Sequence, residues 1–369
     1  MKLCFIGLDN YPVLNPAWGS EYFGGESVQQ TLLARAFHEL GYDVSMIVKD
    51  HGQPDGEVLD GIRVLKTYAD QDGLPGVRFL HPRMTSIWNA FAEADADVYY
   101  QSCAGMMTGL VARFCEKHNR KLVFRVAHDT DCVPGEELIR FSRDRWLYRY
   151  GLKRADFISA QGVHQQELLK DNHGLASTVT NMSVEVPSLE NRPDKDIDVL
   201  WVNNLREFKR PDLGIELAKK LPGKRVVMIG GPVPGKEAYF EEMRAAAAEV
   251  PNLEFLGAVP YAEVNDYFHA TRVFVNTSDS EGFPNSFLQA WVRGVPVVSF
   301  FDPDNLIDQR GLGASPGDLD EMQAAVLNLL DDGVRAPVAQ TCRDFAVENY
   351  GAINVARRYI ADFPPLAMS

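Results

Sequence analysis

The apolar positions of this chain fall in short runs rather than long stretches. "KLCFIGL", "DVSMIV", "DVYYQS", "KLVFRVA" and "DFISAQ", then "DVLWVN", "RVVMIG", "LEFLGAV", "RVFVNT" and "VPVVSF", are rich in β-branched and aromatic residues and read as strands. Segments with helical spacing separate them. From about Glu26 to Leu40, Val28, Leu32, Leu33, Ala36 and Leu40 fall on one face, and Gly41 stops the helix. This alternation predicts parallel sheets covered by helices on both faces. The series restarts after "VEVPSLENRPDKDID", residues 184–198, a stretch rich in Pro and charge with no apolar period. The expected fold class is α/β, with two doubly wound domains in tandem: residues 1–187 and residues 188–351. In such folds ligands bind at the carboxyl ends of the strands, so a cleft between the domains is the expected site.

Composition narrows the function. At 369 residues the chain exceeds what one core usually supports. A net charge of −14 disfavours a partner gripped through many phosphates, so no nucleic acid is expected. The start "MKLCFIGLDNY" reads as a first strand and not as a signal peptide, and no apolar run is long enough to span a membrane. Cys4, Cys103, Cys115, Cys132 and Cys342 are odd in number and lack metal-ligand spacing, which fits reduced thiols in a cytoplasmic protein.

Several strand ends carry residues with chemistry. Gly24-Gly25 stands before Glu26-Ser27 at a helix start, where backbone can approach an anion. It is neither GxGxxG nor GxxxxGK[ST], and a flexible loop feeding a helix is the plain alternative. "KLVFRVA" ends in His128-Asp129, where an imidazole can bond a sugar hydroxyl or a carbonyl, or serve structure alone. Asp129 and Asp131 raise a divalent-metal reading, but two carboxylates on a loop are common by chance, and no metal is expected. After "DVLWVN", Arg206, Lys209 and Arg210 arrive just before a helix opened by Pro211, positioned to grip a diphosphate or to be solvated beside Glu207 and Asp212. Gly230-Gly231 follows another strand. Finally, "SDSEGFPNSFLQAWVRGVPVVSF" places Glu281 beside a helix that Asn285 or Ser286 can cap, with Gln289 about one turn inside it. An acid next to free N–H groups suits a sugar joined to a phosphate.

With "GGES", "VAHD", "RADFISAQ", "LWVNNLREFKRPDLGIELA", "FLGAV" and "SEGFPNSFLQAWVRGVPVVS" in this order, the chain resembles the retaining glycosyltransferases of family 4, the group 1 transferases of the GT-B fold. The last stretch is the most specific. The resemblance implies two Rossmann-like domains, an acceptor-binding one at 1–187 and a nucleotide-sugar-binding one at 188–351. The closing helix, about 352–369, would pack back on the first, which makes the linker a double crossing and permits hinge closure. It implies that Glu281 contacts the donor sugar, beside backbone N–H groups of Gly282, Phe283, Pro284 and Asn285 as far as these carry one. It also implies that Lys209 binds the diphosphate, that His128 faces the transferred sugar, and that Gly25 and the backbone near Val259 approach donor and base. Two departures stand out: Gln289 occupies the position of the family's second acid, and Asn204 that of its usual arginine. The amide can still bond ribose hydroxyls, whereas a lost charge-assisted bond to phosphate removes about 1.5–3 kcal/mol. Arg206 is the candidate replacement.

The implied reaction is sugar transfer, with retention, from a nucleotide diphosphate sugar such as a UDP- or GDP-sugar. The acceptor is a hydroxyl on a glycan or lipid-linked glycan, in cell-surface polysaccharide or glycoconjugate synthesis. No cofactor and no metal are expected. Residues 139–154 carry Arg140, Arg143, Arg145, Arg149, Lys153 and Arg154 with Trp146, Tyr148 and Tyr150 interleaved. They suit an anionic acceptor or peripheral contact with the inner membrane face, or else a solvated helix whose aromatics face the core. A sugar-nucleotide epimerase and a non-catalytic nucleotide-sugar-binding protein remain the alternatives. The missing GxGxxG argues against a dehydrogenase.

Overall fold

Strands form where apolar runs can be buried on both faces: Leu3, Cys4, Phe5 and Ile6 are all buried although they alternate in direction. The computed structural model describes residues 1–18, 24–74, 77–188, 194–233, 235–280 and 283–368. The chain divides into two units, Met1–Ser183 with Ala352–Ser369, and Val184–Gly351.

In the first unit, β1 (Lys2–Ile6), β2 (Asp43–Val48), β3 (Val58–Leu59), β4 (Ile62–Lys66), β5 (Val98–Ser102), β6 (Lys121–Arg125), β7 (Phe157–Ala160) and β8 (Thr178–Val179) form one sheet. Its order is β3-β4-β2-β1-β5-β6-β7-β8, parallel except where β3 meets β4. β1 has β2 on one side and β5 on the other, so the strand order reverses there. The helix Gly25–Glu39 buries Val28, Leu32, Leu33 and Ala36 as its spacing requires, yet it also buries Gln29, Gln30 and Thr31. The helix Ala352–Asp362 packs against it. Val355, Ala356 and Tyr359 join Phe5, Phe37 and Tyr100 in the core, and the Tyr359 hydroxyl lies 2.8 Å from Ser159 Oγ.

In the second unit, β9 (Ile197–Val202), β10 (Val226–Ile229), β11 (Leu253–Gly257), β12 (Thr271–Asn276), β13 (Val297–Ser299) and β14 (Gly313–Ala314) make an all-parallel sheet in the order β11-β10-β9-β12-β13-β14. Here the order reverses between β9 and β12. Trp201, Met228, Val273 and Val298 centre the core. Among the described residues no helix is long and apolar enough to cross a membrane.

Candidate functional site

Doubly wound sheets bind ligands where the strand order reverses. In the second unit this is the space between the loops after β9 and β12, and buried hydrogen bonds tie those loops together. Thr277, fully buried, has its Oγ1 3.0 Å from the Lys209 carbonyl and 2.7 Å from that of Arg210, and accepts from Trp201 Nε1 at 2.9 Å. The Asp279 N–H donates to the Phe208 carbonyl at 2.8 Å. These bonds hold a 3₁₀ turn, Glu207–Lys209, that presents Lys209 with its ammonium 5.0 Å from the Phe208 ring centre. Arg206 is exposed and, among the described residues, makes no ion pair. Asn204 is exposed on the same loop, and Val259 lies just past the end of β11.

Arg210 departs from the expected cation trio. It sits in the left-handed region at φ 51°, ahead of Pro211, and its guanidinium is committed to Asp212 at 2.8 Å and Asp279 at 3.4 Å. The hydrogen bond to Asp212 raises its pKa first of all. A depression of about 650 Å³ beside it is lined by Glu207, Asp212, Glu242 and Asp279 as well as Arg210, a lining hostile to a diphosphate. Gly230 likewise serves packing: a Cβ there would meet the Asn203 carbonyl at 2.1 Å, so the missing side chain admits the neighbouring loop.

The helix after β12 runs Asn285–Trp291, and its N-cap is Pro284 without a side-chain cap bond, so neither Asn285 nor Ser286 plays the expected capping role. Phe283 packs on Tyr350 and Trp291, at ring separations of 5.3 and 6.3 Å. Gln289 is 8% exposed, and its Nε2 donates to Asn265 Oδ1 at 3.2 Å. Its NH₂ is therefore engaged with the neighbouring helix Tyr261–Ala270. Glu281 and Gly282 lie outside the described residues.

In the first unit His128 is exposed just past the end of β6 and N-caps the turn Asp129–Cys132. The Thr130 N–H donates to its Nδ1 at 3.3 Å, which puts the proton of the neutral ring on Nε2. Asp131 completes the capping box by accepting from the His128 N–H at 3.1 Å, and Asp129 accepts from Gln165 Nε2 at 2.9 Å. Both carboxylates thus shape the loop. Burial pushes the Asp131 carboxyl up, against the pull of the His128 and Ala127 N–H groups. Gly24 N-caps the first long helix and Gly25 begins it, exposed.

The sequence pattern described as Glycosyl transferase 4-like domain matches residues 24–180, and that described as Glycosyl transferases group 1 matches residues 196–332. The chain belongs to the group 1 glycosyltransferases. Over 184 residues it is 28% identical to the O-antigen biosynthesis glycosyltransferase WbnH of Escherichia coli, an alignment covering 47% of this chain and 50% of that one. The chain thus spans about half the length of the curated relatives it matches. Sucrose-phosphate synthase from Thermosynechococcus elongatus superposes with a TM-score of 0.74 at 16% identity, over 99% of this chain and 98% of that one. The Anabaena protein HepE, solved with UDP and glucose, gives 0.71 at 15% identity over 99% of each. The fold is GT-B.

Several working parts of this group 1 chain escape sequence reading. Thr277 and Glu26 carry no local signal, since their partners lie far away in the chain. Two strand residues offer a signal once their burial is known: the indole of Trp201 needs an acceptor, and Arg125, 2% exposed at the end of β6, needs a counter-charge. Following Arg125 leads to Glu26, the carboxylate that acts on it most strongly.

Proposed function

We propose that the chain transfers a glycosyl unit, with retention, from a nucleotide diphosphate sugar to an acceptor hydroxyl without a metal. The observation that carries this reading is the stitched loop after β9, which holds Lys209 and Arg206 at the switch point of the second sheet, Arg206 without an ion pair among the described residues. Lys209 and Arg206 stabilise the diphosphate as the bond from its oxygen to the anomeric carbon breaks. The acceptor oxygen forms the new glycosidic bond on the same face, and its proton passes to the departing phosphate. No side-chain nucleophile is invoked. Glu281 holds the donor sugar with backbone N–H groups near Asn285, Gln289 and the backbone at Val259 contact the nucleoside, and Gly25 allows close approach. His128 offers Nε2–H to the transferred sugar. Group 1 membership and the O-antigen relative support a role in polysaccharide or glycoconjugate synthesis.

Contact with an anionic membrane surface is part of the proposal. The helix Ser142–Leu152 and its flanks leave Leu138, Phe141 and Trp146 exposed beside Arg140 and Arg143, a composition that suits a bilayer interface. Tyr148 is buried, while Arg145 and Arg149 turn to the buried Glu137, so only part of the basic run is available.

The test is calorimetric titration with UDP, GDP, ADP and TDP in EDTA. One nucleotide should bind wild type and bind Lys209→Ala at least tenfold more weakly, since a charge-assisted bond contributes about 1.5–3 kcal/mol. Binding that requires a divalent metal, or that is indifferent to Lys209, would refute the reading. A non-catalytic binding protein is the second reading, favoured by the engagement of Gln289 with Asn265. Sugar turnover in the presence of the bound nucleotide's sugar donor excludes it.

A further inference from the structure

The first unit has its own cavity, of about 280 Å³, where β1 and β5 diverge. Much of its wall is apolar, from Ile6, Leu8, Met106 and Met107, but it also carries the buried polar side chains Asn10, Gln30, Gln101 and Ser102. Asn10 Nδ2 donates to Gln30 Oε1 at 3.0 Å, and Gln30 Nε2 donates in turn to Ser102 Oγ. The Ser102 side chain favours the charged form of the Glu26 carboxylate, against the burial that pushes its pKa up. Gln101, 3% exposed, donates Nε2 to the Cys103 carbonyl at 2.9 Å, which fixes its amide orientation. Asn10, Gln30 and Gln101 thus each direct an amide donor at a protein acceptor.

Two acceptors are left over. Glu26 Oε1 and Gln101 Oε1 are buried and have no hydrogen-bond partner among the described residues, and both residues line this cavity. A buried unsatisfied acceptor costs about 1–3 kcal/mol, so a pair of them in one cavity points to a ligand that brings donors. Charge narrows the class. Glu26 and Asp9 on the wall disfavour an anion, whereas Asp9 is paired with Lys49 and the buried Arg125 offsets the Glu26 carboxylate, which removes the demand for a cation. A neutral molecule with neighbouring hydroxyl groups fits both requirements.

We infer that this cavity is an acceptor subsite for a neutral sugar or polyol unit, two of whose hydroxyls donate to Glu26 Oε1 and Gln101 Oε1. The inference rests on the transferase reading, and it assigns neutral hydroxyl recognition to the cavity while the basic surface at 139–154 stays outside it.

Saturation-transfer NMR with methyl α-glucoside, methyl α-galactoside, methyl α-mannoside and myo-inositol tests it, with methyl glucoside 6-phosphate as the charged competitor. At least one neutral probe should bind wild type and bind at least tenfold more weakly to Glu26→Gln. Gly105→Leu supplies a second variant that leaves the polar network intact. Gly105 lines the cavity, its backbone is extended, and a Cβ there meets nothing within 4 Å, so the leucine fills the cavity without strain. It too should weaken binding at least tenfold. Equal binding to wild type and both variants, no binding of any neutral probe, or preference for the phosphorylated probe would each overturn the inference. Nucleotide titration of the same samples separates the two readings. Nucleotide binding without sugar binding sinks the subsite alone, and sugar binding without nucleotide binding sinks the donor site alone.

Discussion

The loop that presents Lys209 depends on one hydroxyl, and replacing it isosterically should be costly. Thr277→Val keeps shape and volume at a fully buried position but removes three interactions. The indole N–H of Trp201, itself 1% exposed, loses its acceptor. The carbonyls of Lys209 and Arg210 lose the proton they share. An unsatisfied buried donor costs about 1–3 kcal/mol and a lost neutral bond about 0.5–1.5 kcal/mol, so the sum is about 2–4 kcal/mol. For a unit of this size each kcal/mol lowers Tm by about 2–4 °C, which predicts a fall of roughly 5–15 °C. Arg210 adds to the effect, because a left-handed residue before proline is a conformation the chain does not favour by itself.

Differential scanning calorimetry measures the stability change, and titration with the preferred nucleotide measures the functional one. Loosening the loop should weaken nucleotide binding by about three- to tenfold, the ordering cost of one neutral bond. Thr277→Ser restores the hydroxyl and should recover affinity, while the lost methyl leaves a deficit of about 1 kcal/mol in stability. A valine variant that melts within 2 °C of wild type (about 0.5–1 kcal/mol) and binds equally well would refute the reasoning. So would a serine variant as weak as the valine.

Three further outcomes are expected. Glu137 is buried, and although burial pushes its carboxyl up, the hydrogen bonds from Arg149 and the Gly135 N–H hold it below the usual range. Its stabilisation is present above the unfolded value of about 4.3 and lost as pH falls through the depressed folded value, so Glu137→Gln should melt below wild type at pH 7 and the gap should close below about pH 4. Sedimentation with phosphatidylglycerol vesicles should show salt-sensitive binding, weakened about thirtyfold by Arg140→Gln with Arg143→Gln at ~1 kcal/mol for each charge; equal binding to phosphatidylcholine vesicles counts against it. Gly230→Ala should destabilise by about 1–3 kcal/mol through overpacking against Asn203 and Leu205, measurable by urea titration, and an unchanged midpoint would show that the loop yields freely.

What could be read in the sequence follows from how far each signal reaches. β1, β2, β5, β6, β9 and β12 are buried on both faces, so each leaves a continuous apolar run that needs no knowledge of its neighbours. β4 was missed because "IRVLK" sets charged residues between apolar ones, and β8 and β14 because two residues make no pattern. The positions of the strand ends were legible for the same reason. Which cation stays available there was legible only in part: Asp212 is a partner the sequence offers Arg210 two residues on, whereas Asp279 reaches it from across the fold and, among the described residues, Arg206 meets no carboxylate. Gly230 posed the same difficulty, since its close neighbour is the backbone of another loop and not a ligand.

Both units use one device at the point where strand order reverses. In the first, Gln30 ties the β1 loop, through Asn10, to the end of β5, at Ser102. In the second, Thr277 ties the β12 loop to the carboxyl-end loop of β9. Loops that leave a sheet in opposite directions share no backbone ladder, so side-chain bonds are what define the gap between them. A polar side chain placed there is costly to bury unless fully bonded, and once bonded it stiffens the gap against collapse. The apolar cores of the two sheets therefore account for the fold, while a few buried polar residues decide how wide each gap stands and which groups face it. Substitutions at these residues should change binding out of proportion to their number, and equivalent losses of apolar surface deeper in either core should change stability while leaving the gaps as they are.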